Sequence, residues 1–528
     1  MSNPISRREM LAAAAAIAVA SQSSRAAAET GNRVEGLPVA AKVGAGAYAN
    51  GGNAVDAVIA AAFAATVVAP QLCGVGGYGG HFIAAIHGGK KIVAIDFNST
   101  APAAMTDDFF ADKLEAQQHG WLSAGVPGTL AGLQVAVKNY GKLDLKSAIA
   151  PAAAIAKDGI AVDAMLATAI IANKANLAKD PATAKRFLPM GEPLKLGQTL
   201  RNPELATLLA AFVKADSVDD FYRGDAAKLI AKSFRANNGL VAERDLENYR
   251  ALHVKPAEWS HGQRTIFTPP PTSGGVTVLQ TLALLDGLGW GAWPADSAKS
   301  IRGRVEAMRL AWHDRLRTLG DPAMADVAWW ELVDKDRIAG QVKVIETALR
   351  DGKPVAATTD GRKATGTVHL SASDASGNFA AITLTHGGYF GAQVTVPELG
   401  VTLGHGMSRF EPKPGHPNSA GPGKRPLHNM CPTIVMERGQ AILAMGGRGG
   451  RKIPNAVCEV LAQVILRGKL PAEAMAAPRV HTEGGMTVEL EKAWPDATRK
   501  PLAEIGYAIK ESTHAVVSAV WNAGGGMR

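Results

Sequence analysis

The stretch Ala364 to Ser371, "ATGTVHLS", puts a threonine, Thr367, directly behind a glycine and at the head of an alternating, strand-like run. A threonine hydroxyl is a poor nucleophile at neutral pH and needs a base within hydrogen-bond reach. Cleavage of the Gly366–Thr367 peptide bond would make the threonine's own α-amine that base, because an α-amine titrates near neutrality. The residues just before, 351–366 ("DGKPVAATTDGRKATG"), are polar, small and aperiodic. They are expected to be exposed and mobile, as a cleaved end should be.

Two further groups complete the chemistry. A second hydroxyl that orients the first is expected from the partner strand of a hairpin, and Thr385 ends that strand. Acyl transfer also needs donors for an oxyanion, and consecutive glycine N–H groups can converge on one oxygen. "MGGRGGRKIP" (Met445 to Pro454) offers them at a strand-to-helix junction, with Gly449 and Gly450 nearest the helix. His369 is expected to point away from the face of Thr367 or to support packing.

The elements that must position these groups are legible as punctuated periodicity. "GGNAVDAVIAAAFAATVVAP" reads as a buried, alanine-rich helix opening after Gly51-Gly52 and stopping before Pro70. The glycine cluster that follows leads into two apolar runs separated by His87 to Lys91, a hairpin signal. That cluster lacks the Gly-Lys-Ser/Thr ending of a phosphate loop, so it does not read as a nucleotide site. From Leu122 to Glu346 the pattern is mainly helical, interrupted by an extended segment at Pro269 to Pro271. After Thr367 come a hairpin with its turn at Asp374 to Asn378, further strands in "PTIVMERGQAILAMGG", and a helix from about Asn455 to Arg467. Sheets flanked by helices are the expected layering.

Composition limits the function. The 528 residues, 47% of them hydrophobic, can bury a large core. The formal charge of +9 is spread along the chain rather than gathered into a groove or basic helix, which argues against nucleic acid as a partner. Cys73, Cys431 and Cys458 form no CxxC pair, and buried free thiols are expected, with a disulfide between two of them left open. No cluster of histidines and carboxylates has metal-ligand spacing, so neither metal nor cofactor is expected. The N-terminus carries a twin arginine (Arg7, Arg8), a short apolar run and the small-residue site Ala26 to Ala28. Residues 1–28 thus read as a twin-arginine-type export signal, implying a periplasmic or secreted protein without a stable membrane anchor.

Taken together, "GGNAVDA", "GVGGYGG", "AIDFNSTAP", "GVPGT", "PPPTSGG", "LGDP", the "TVHLS" hairpin, "GPGKRPLHNMCPTIV" and "GGRGGRKI" resemble the gamma-glutamyltransferase (glutathione hydrolase) proenzyme family. That family lies within the N-terminal-nucleophile hydrolases. The resemblance spans nearly the whole chain after the export segment. It implies an α+β fold, a four-layer αββα sandwich, cut by the protein itself into a large subunit (29–366) and a small one (367–528) that stay together as a heterodimer. It also implies Thr367 as nucleophile, Thr385 as its support and Gly449 and Gly450 as oxyanion donors.

The departures from the family pattern concern the acyl group. The family holds the α-carboxylate of a gamma-glutamyl group by an arginine and a serine pair, and its α-amine by an aspartate and neighbouring amide side chains. Here Asn98 stands at the arginine position and His428-Asn429 at the serine pair. Gly387 and Gly406 replace the amide residues, Arg409 replaces the aspartate, and Arg448 replaces a proline between the glycine pairs. Arg409 inverts the charge where an ammonium would bind, a like-charge contact costing several kcal/mol in a partly desolvated site. A pocket bearing Arg409, Arg448 and His428 is expected to prefer an acidic acyl group without an α-amine. The expected function is therefore amide hydrolysis or acyl transfer on a small acidic amide, oxamate-like or a dicarboxylic monoamide. The alternatives are a glutathione hydrolase with a rearranged pocket and a catalytically silent binding protein. Retention of Thr367, Thr385 and the glycine pairs favours chemistry over mere binding.

Overall fold

The computed structural model describes residues 31–358, 366–513 and 515–522. The export segment 1–28 lies outside them, as do residues 359–365 of the polar run before Thr367. Among the described residues no helix is long and apolar enough to cross a membrane.

Two antiparallel sheets lie face to face between layers of helices. The first sheet takes β1 (Arg33–Glu35), β2 (Gly79–Ile86), β3 (Lys91–Asp96), β4 (Leu252–Val254), β7 (Val368–Ser373) and β8 (Phe379–Thr385), in the order β1-β7-β8-β2-β3-β4. The second takes β5 (Ala257–His261), β6 (Arg264–Thr268), β9 (Thr433–Glu437), β10 (Gln440–Arg448) and β11 (Val516–Trp521), in the order β11-β10-β9-β6-β5. Strands β5 and β6 fall in the region read from sequence as mainly helical. Each is only 5 residues long, and partial burial makes their alternation weak.

Each sheet has a core on its outer face, and a third core fills the space between them. Ile83, Ala85, Phe379 and Ala381 of the first sheet meet Ile434, Ala444 and Val520 of the second. Helices α1 (Pro38–Ala49) and α2 (Ala54–Val68), with α3 (Thr129–Tyr140) and α4 (Leu145–Asp158), cover the first sheet. Helices α5 (Gly275–Gly287), α6 (Ala298–Thr318), α7 (Lys335–Asp351) and α8 (Ile453–Arg467) cover the second. This is the αββα sandwich of an α+β protein.

Helix α2 shows how the sequence produces the layer. Asn53 caps it by accepting from the Val55 and Asp56 N–H groups, and Asp56 reaches back to the Asn53 N–H at 2.8 Å. Almost every residue beyond the cap is buried, so alanine on all faces lets α1, α4 and the sheet approach closely. Helix α8 starts at Ile453, two residues before the position expected from sequence, because Pro454 is compatible with a first helical turn. All three cysteines are buried and free.

The segment after α7 is less free than its composition suggests. Val355 is buried, donates its N–H to Glu306 Oε2 (3.0 Å) and accepts from Arg309 (2.8 Å) through its carbonyl. Arg302 holds the Ala348, Leu349 and Lys353 carbonyls. Buried arginines on α6 thus supply the order that the segment's own side chains do not encode.

Both sheets combine strands from either side of the Gly366–Thr367 bond. The β7–β8 hairpin is inserted between β1 and β2, and β9 pairs with β6. Neither part can complete its ladders alone. Material cut at that bond is expected to remain one species in size-exclusion chromatography. After unfolding in urea it should refold far less completely than uncut Thr367→Ala chain, because reassembly has become bimolecular; recovery of native circular dichroism checks this.

Candidate active site

The hairpin register builds the site. Leu384 faces Val368 and Thr383 faces His369, which places Thr385 opposite Thr367. Asp374 fixes the turn at the far end, accepting from the Ser376 N–H (2.9 Å), the Asn378 N–H (3.0 Å) and, across to the start of α2, the Ala54 N–H (3.0 Å).

Thr367 is only 2% exposed. Its Oγ1 lies 2.7 Å from the Gly366 carbonyl oxygen and 3.3 Å from Thr385 Oγ1. Thr385 Oγ1 donates to that same carbonyl and accepts from the Gly387 N–H at 2.8 Å. One carbonyl, the acyl half of the Gly366–Thr367 bond, is therefore met by two hydroxyls, and one of these is oriented by a backbone donor. A polarised carbonyl beside a hydroxyl is the arrangement that acyl migration from nitrogen to oxygen requires. Gly366 has φ 92°, and a Cβ on it would come within 2.8 Å of the Gly388 backbone, so only glycine fits.

His369 lies on the same face as Thr367, contrary to the expectation that it points away, because their partners Thr383 and Thr385 stand two residues apart on one regular strand. Its packing role is clear: Nδ1 meets Thr383 Oγ1 at 2.7 Å and Nε2 meets Ser371 Oγ at 2.8 Å. The ring lies under Gly446 of β10, where a Cβ would come within 2.4 Å of it. Strand β10 thus crosses the hairpin, and three residues beyond Gly446 it reaches Gly449. Gly449 (φ 139°) and Gly450 (φ 66°) form the turn into the short 3-10 segment Gly450–Lys452 and then α8.

Arg409, which donates to the Gly387 carbonyl two residues beyond Thr385, lines a cavity of about 300 Å³ whose walls include neither Thr367 nor Thr385. Its walls include Gln118, Arg315, Arg409, Glu411, Asn429 and Arg451. Arg451 is paired with Glu483 (2.6 Å) and lies over the Trp312 ring. Arg409 donates to the Gly387 carbonyl, and Arg315 to the Ser273 and His428 carbonyls.

The structure therefore brings Arg409 and Asn429 together at one cavity. His428 sits behind it, its ring 4.7 Å from that of Tyr78. Its Nδ1 accepts from the Asn429 and Met430 N–H groups, which puts the ring proton on Nε2. Burial, and then Arg409, hold His428 well below its ordinary pKa. Burial thus favours the neutral imidazole. Asn98 donates to Thr272 Oγ1, which in turn donates to Asp96 (3.0 Å); it does not line the cavity. Arg448 also lies outside the cavity walls, with Tyr389 and Asp163 as its electrostatic neighbours.

Sequence reasoning missed Gln118 and Arg315 of the cavity wall, and His405, which packs against Gly387. Gln118 and Arg315 come from helices remote in sequence and carry no local motif. His405 stands inside "GHGMSRF", the departure that drew attention to Gly406 and Arg409.

A family model described as Gamma-glutamyltranspeptidase matches residues 40–528. The Acylase ACY 1 proenzyme of Pseudomonas sp. (strain V22) is 33% identical over 498 residues, covering 92% of this chain and 88% of the relative. The Glutathione hydrolase proenzyme of Escherichia coli (strain K12) is 34% identical over 502 residues, covering 90% and 85%. Among solved structures, the cephalosporin acylase from Bacillus halodurans superimposes with a TM-score of 0.84 at 26% identity, over 93% of this chain and 92% of that one.

Two outcomes follow from this geometry. Thr385→Ala should slow the appearance of the two fragments on a denaturing gel by about 10²–10³-fold, the usual loss for one oxyanion-type donor. Thr385→Ser should keep most of the rate. Separately, burial holds His369, His386 and His405 down at about 3, against an ordinary 6.5. Their folded pKa values lie below the unfolded ones, so stability is full above pH 6.5 and is lost as pH falls toward 3. Each histidine should add up to ~1.4 kcal/mol per pH unit to that slope, and urea titrations of His386→Gln against wild type should show a shallower acid limb.

Proposed function

The chain belongs to the gamma-glutamyltranspeptidase family, an N-terminal-nucleophile hydrolase family acting on amide bonds. From that premise we propose that Thr367, freed by self-cleavage, transfers an acidic acyl group lacking an α-amine. In self-cleavage, Thr367 Oγ1 attacks the Gly366 carbonyl carbon, which Thr385 polarises. The carbon–nitrogen bond breaks, the hydroxyl proton passes to the departing α-amine, and water hydrolyses the resulting ester. In turnover that amine takes the hydroxyl proton, Oγ1 bonds to the substrate's acyl carbon, and the Gly449 and Gly450 N–H groups stabilise the oxyanion. The proton then reaches the leaving amine. Water or a second amine releases the acyl group.

The observation that carries the acyl-group reading is Arg409. It reaches the carbonyl of Gly387, whose N–H orients Thr385, and it lines the adjoining cavity with Asn429. Its field already disfavours protonation of His405 and His428. An ammonium group in the same cavity meets the same repulsion, whereas a carboxylate gains a charge-assisted hydrogen bond. Relatives named for acylase activity and for glutathione hydrolysis bracket this choice, and the arginine favours the first type of donor.

A release assay comparing gamma-glutamyl anilide with glutaryl, succinyl and oxalyl amides tests the reading. At least one acidic amide without an α-amine should exceed the gamma-glutamyl donor in kcat/KM by tenfold or more, and the reverse ranking overturns the proposal. Arg409→Asp should narrow or invert the ratio.

A further inference from the structure

Gly449 and Gly450 have φ of 139° and 66°, and neither carries a side chain that could fix the turn from within. Two N–H groups that serve one oxyanion must nonetheless be aimed before the reaction begins. What meets the turn from outside is a separate three-stranded sheet of Val480–His481, Thr487–Leu490 and Ala508–Glu511, with the residues flanking those strands.

Lys452, two residues beyond Gly450, makes the most extensive contact. Its Nζ lies 2.5 Å from Glu489 Oε2 and donates to Ser512 Oγ at 2.6 Å and to the Thr513 carbonyl at 2.8 Å. Burial would raise the pKa of Glu489, but hydrogen bonds from Lys452 and Ser512 hold it below its ordinary value, so the pair is charged at neutral pH. Arg451 donates to Glu483 Oε2 at 2.6 Å, and Glu483 Oε1 lies 3.2 Å from His481 Nε2. Gly449 packs on Ala515, where a Cβ would come within 2.7 Å of the Ala515 Cα. Ala515 is itself held, since Arg479 donates to its carbonyl at 2.9 Å and pairs with Glu491 at 3.1 Å. Gly449, Arg451 and Lys452 are thus all anchored on one neighbouring unit. Of the two cations, Arg451 also lines the cavity beside Arg409, whereas Lys452 does not.

We infer that Lys452 and Glu489 are positioning residues for turnover: their pair, with Ser512 and Thr513, holds the turn so that the Gly449 and Gly450 N–H groups face the oxyanion. The inference rests on the reading of those glycines as the oxyanion donors. It also separates the two acyl transfers of this chain. In self-cleavage the attacked carbonyl is that of Gly366, which the Thr385 hydroxyl already meets. In turnover the substrate carbonyl depends on the glycine N–H groups. Loosening the turn slows the second step and spares the first, whereas loss of a residue that merely supports the fold slows both.

Lys452→Met keeps the aliphatic stem and removes the charge. Its rate of fragment formation on a denaturing gel should stay within about twofold of wild type. Its kcat, counted per cleaved chain, should fall at least about tenfold with KM nearly unchanged, the mark of a contact made only in the transition state. Glu489→Gln should shift kcat in the same direction, and Lys452→Arg, which keeps charge and reach, should recover most of it. The assay uses whichever amide donor the wild type turns over fastest, so the result does not depend on the acyl-group reading. Wild-type kcat in Lys452→Met, or a parallel loss of kcat and of fragment formation, overturns the inference. Gly449→Ala, whose Cβ must push against Ala515 and displace the turn, shows which premise failed. If it self-cleaves and keeps wild-type kcat, the glycines are not the oxyanion donors; if it loses kcat where Lys452→Met does not, the donors stand and only the positioning role falls.

Discussion

The contact between the Thr385 hydroxyl and the Gly366 carbonyl is the constraint on which the site depends. It links the end of one hairpin strand to the peptide bond that begins the other, and it survives only if the register of β7 on β8 is kept. A slip of one residue would turn Thr367, His369, Thr383 and Thr385 away from the space between the sheets together. That register is fixed at the opposite end by Asp374, whose carboxylate ties the turn to the first residue of α2. The turn tied to the capped helix and the candidate nucleophile Thr367 thus lie at opposite ends of one hairpin.

The second sheet completes the arrangement by crossing over the hairpin. Gly446 approaches the His369 ring closely enough that no side chain could stand there, and Gly449 and Gly450 follow within the same strand end and turn. The polar His369, Thr383 and Ser371 satisfy one another on the face that carries Thr367, so hydrogen-bonding groups occupy the inter-sheet space at small cost. Further along the same face the residues turn apolar, and the two sheets meet through aliphatic and aromatic side chains.

Loop residues 404–410 bring Arg409 to the Gly387 carbonyl and pack His405 against Gly387, on the same turn whose N–H orients Thr385. Helix α6 contributes Arg315 to the cavity wall, while Arg302 and Arg309 from the same helix hold the carbonyls of Ala348, Leu349, Lys353 and Val355.

The sequence alone determined the candidate nucleophile, its threonine partner, the glycine turn and the layered fold. Each is a local pattern: a hairpin with its turn residues, a strand running into a helix, a capped alanine-rich helix. It also exposed the inverted charge at Arg409, since a residue's sign does not depend on conformation. Only the tertiary structure decided which of the substituted positions meet. It brought Arg409 and Asn429 to a common cavity, left Asn98 and Arg448 outside its walls, and buried His428 so that its neutral form is favoured. It turned His369 toward the nucleophile's face and revealed His405 filling the space above Gly387. Those outcomes depend on distances between chain segments far apart in sequence and on the loss of water around them, and neither quantity is written in a local pattern.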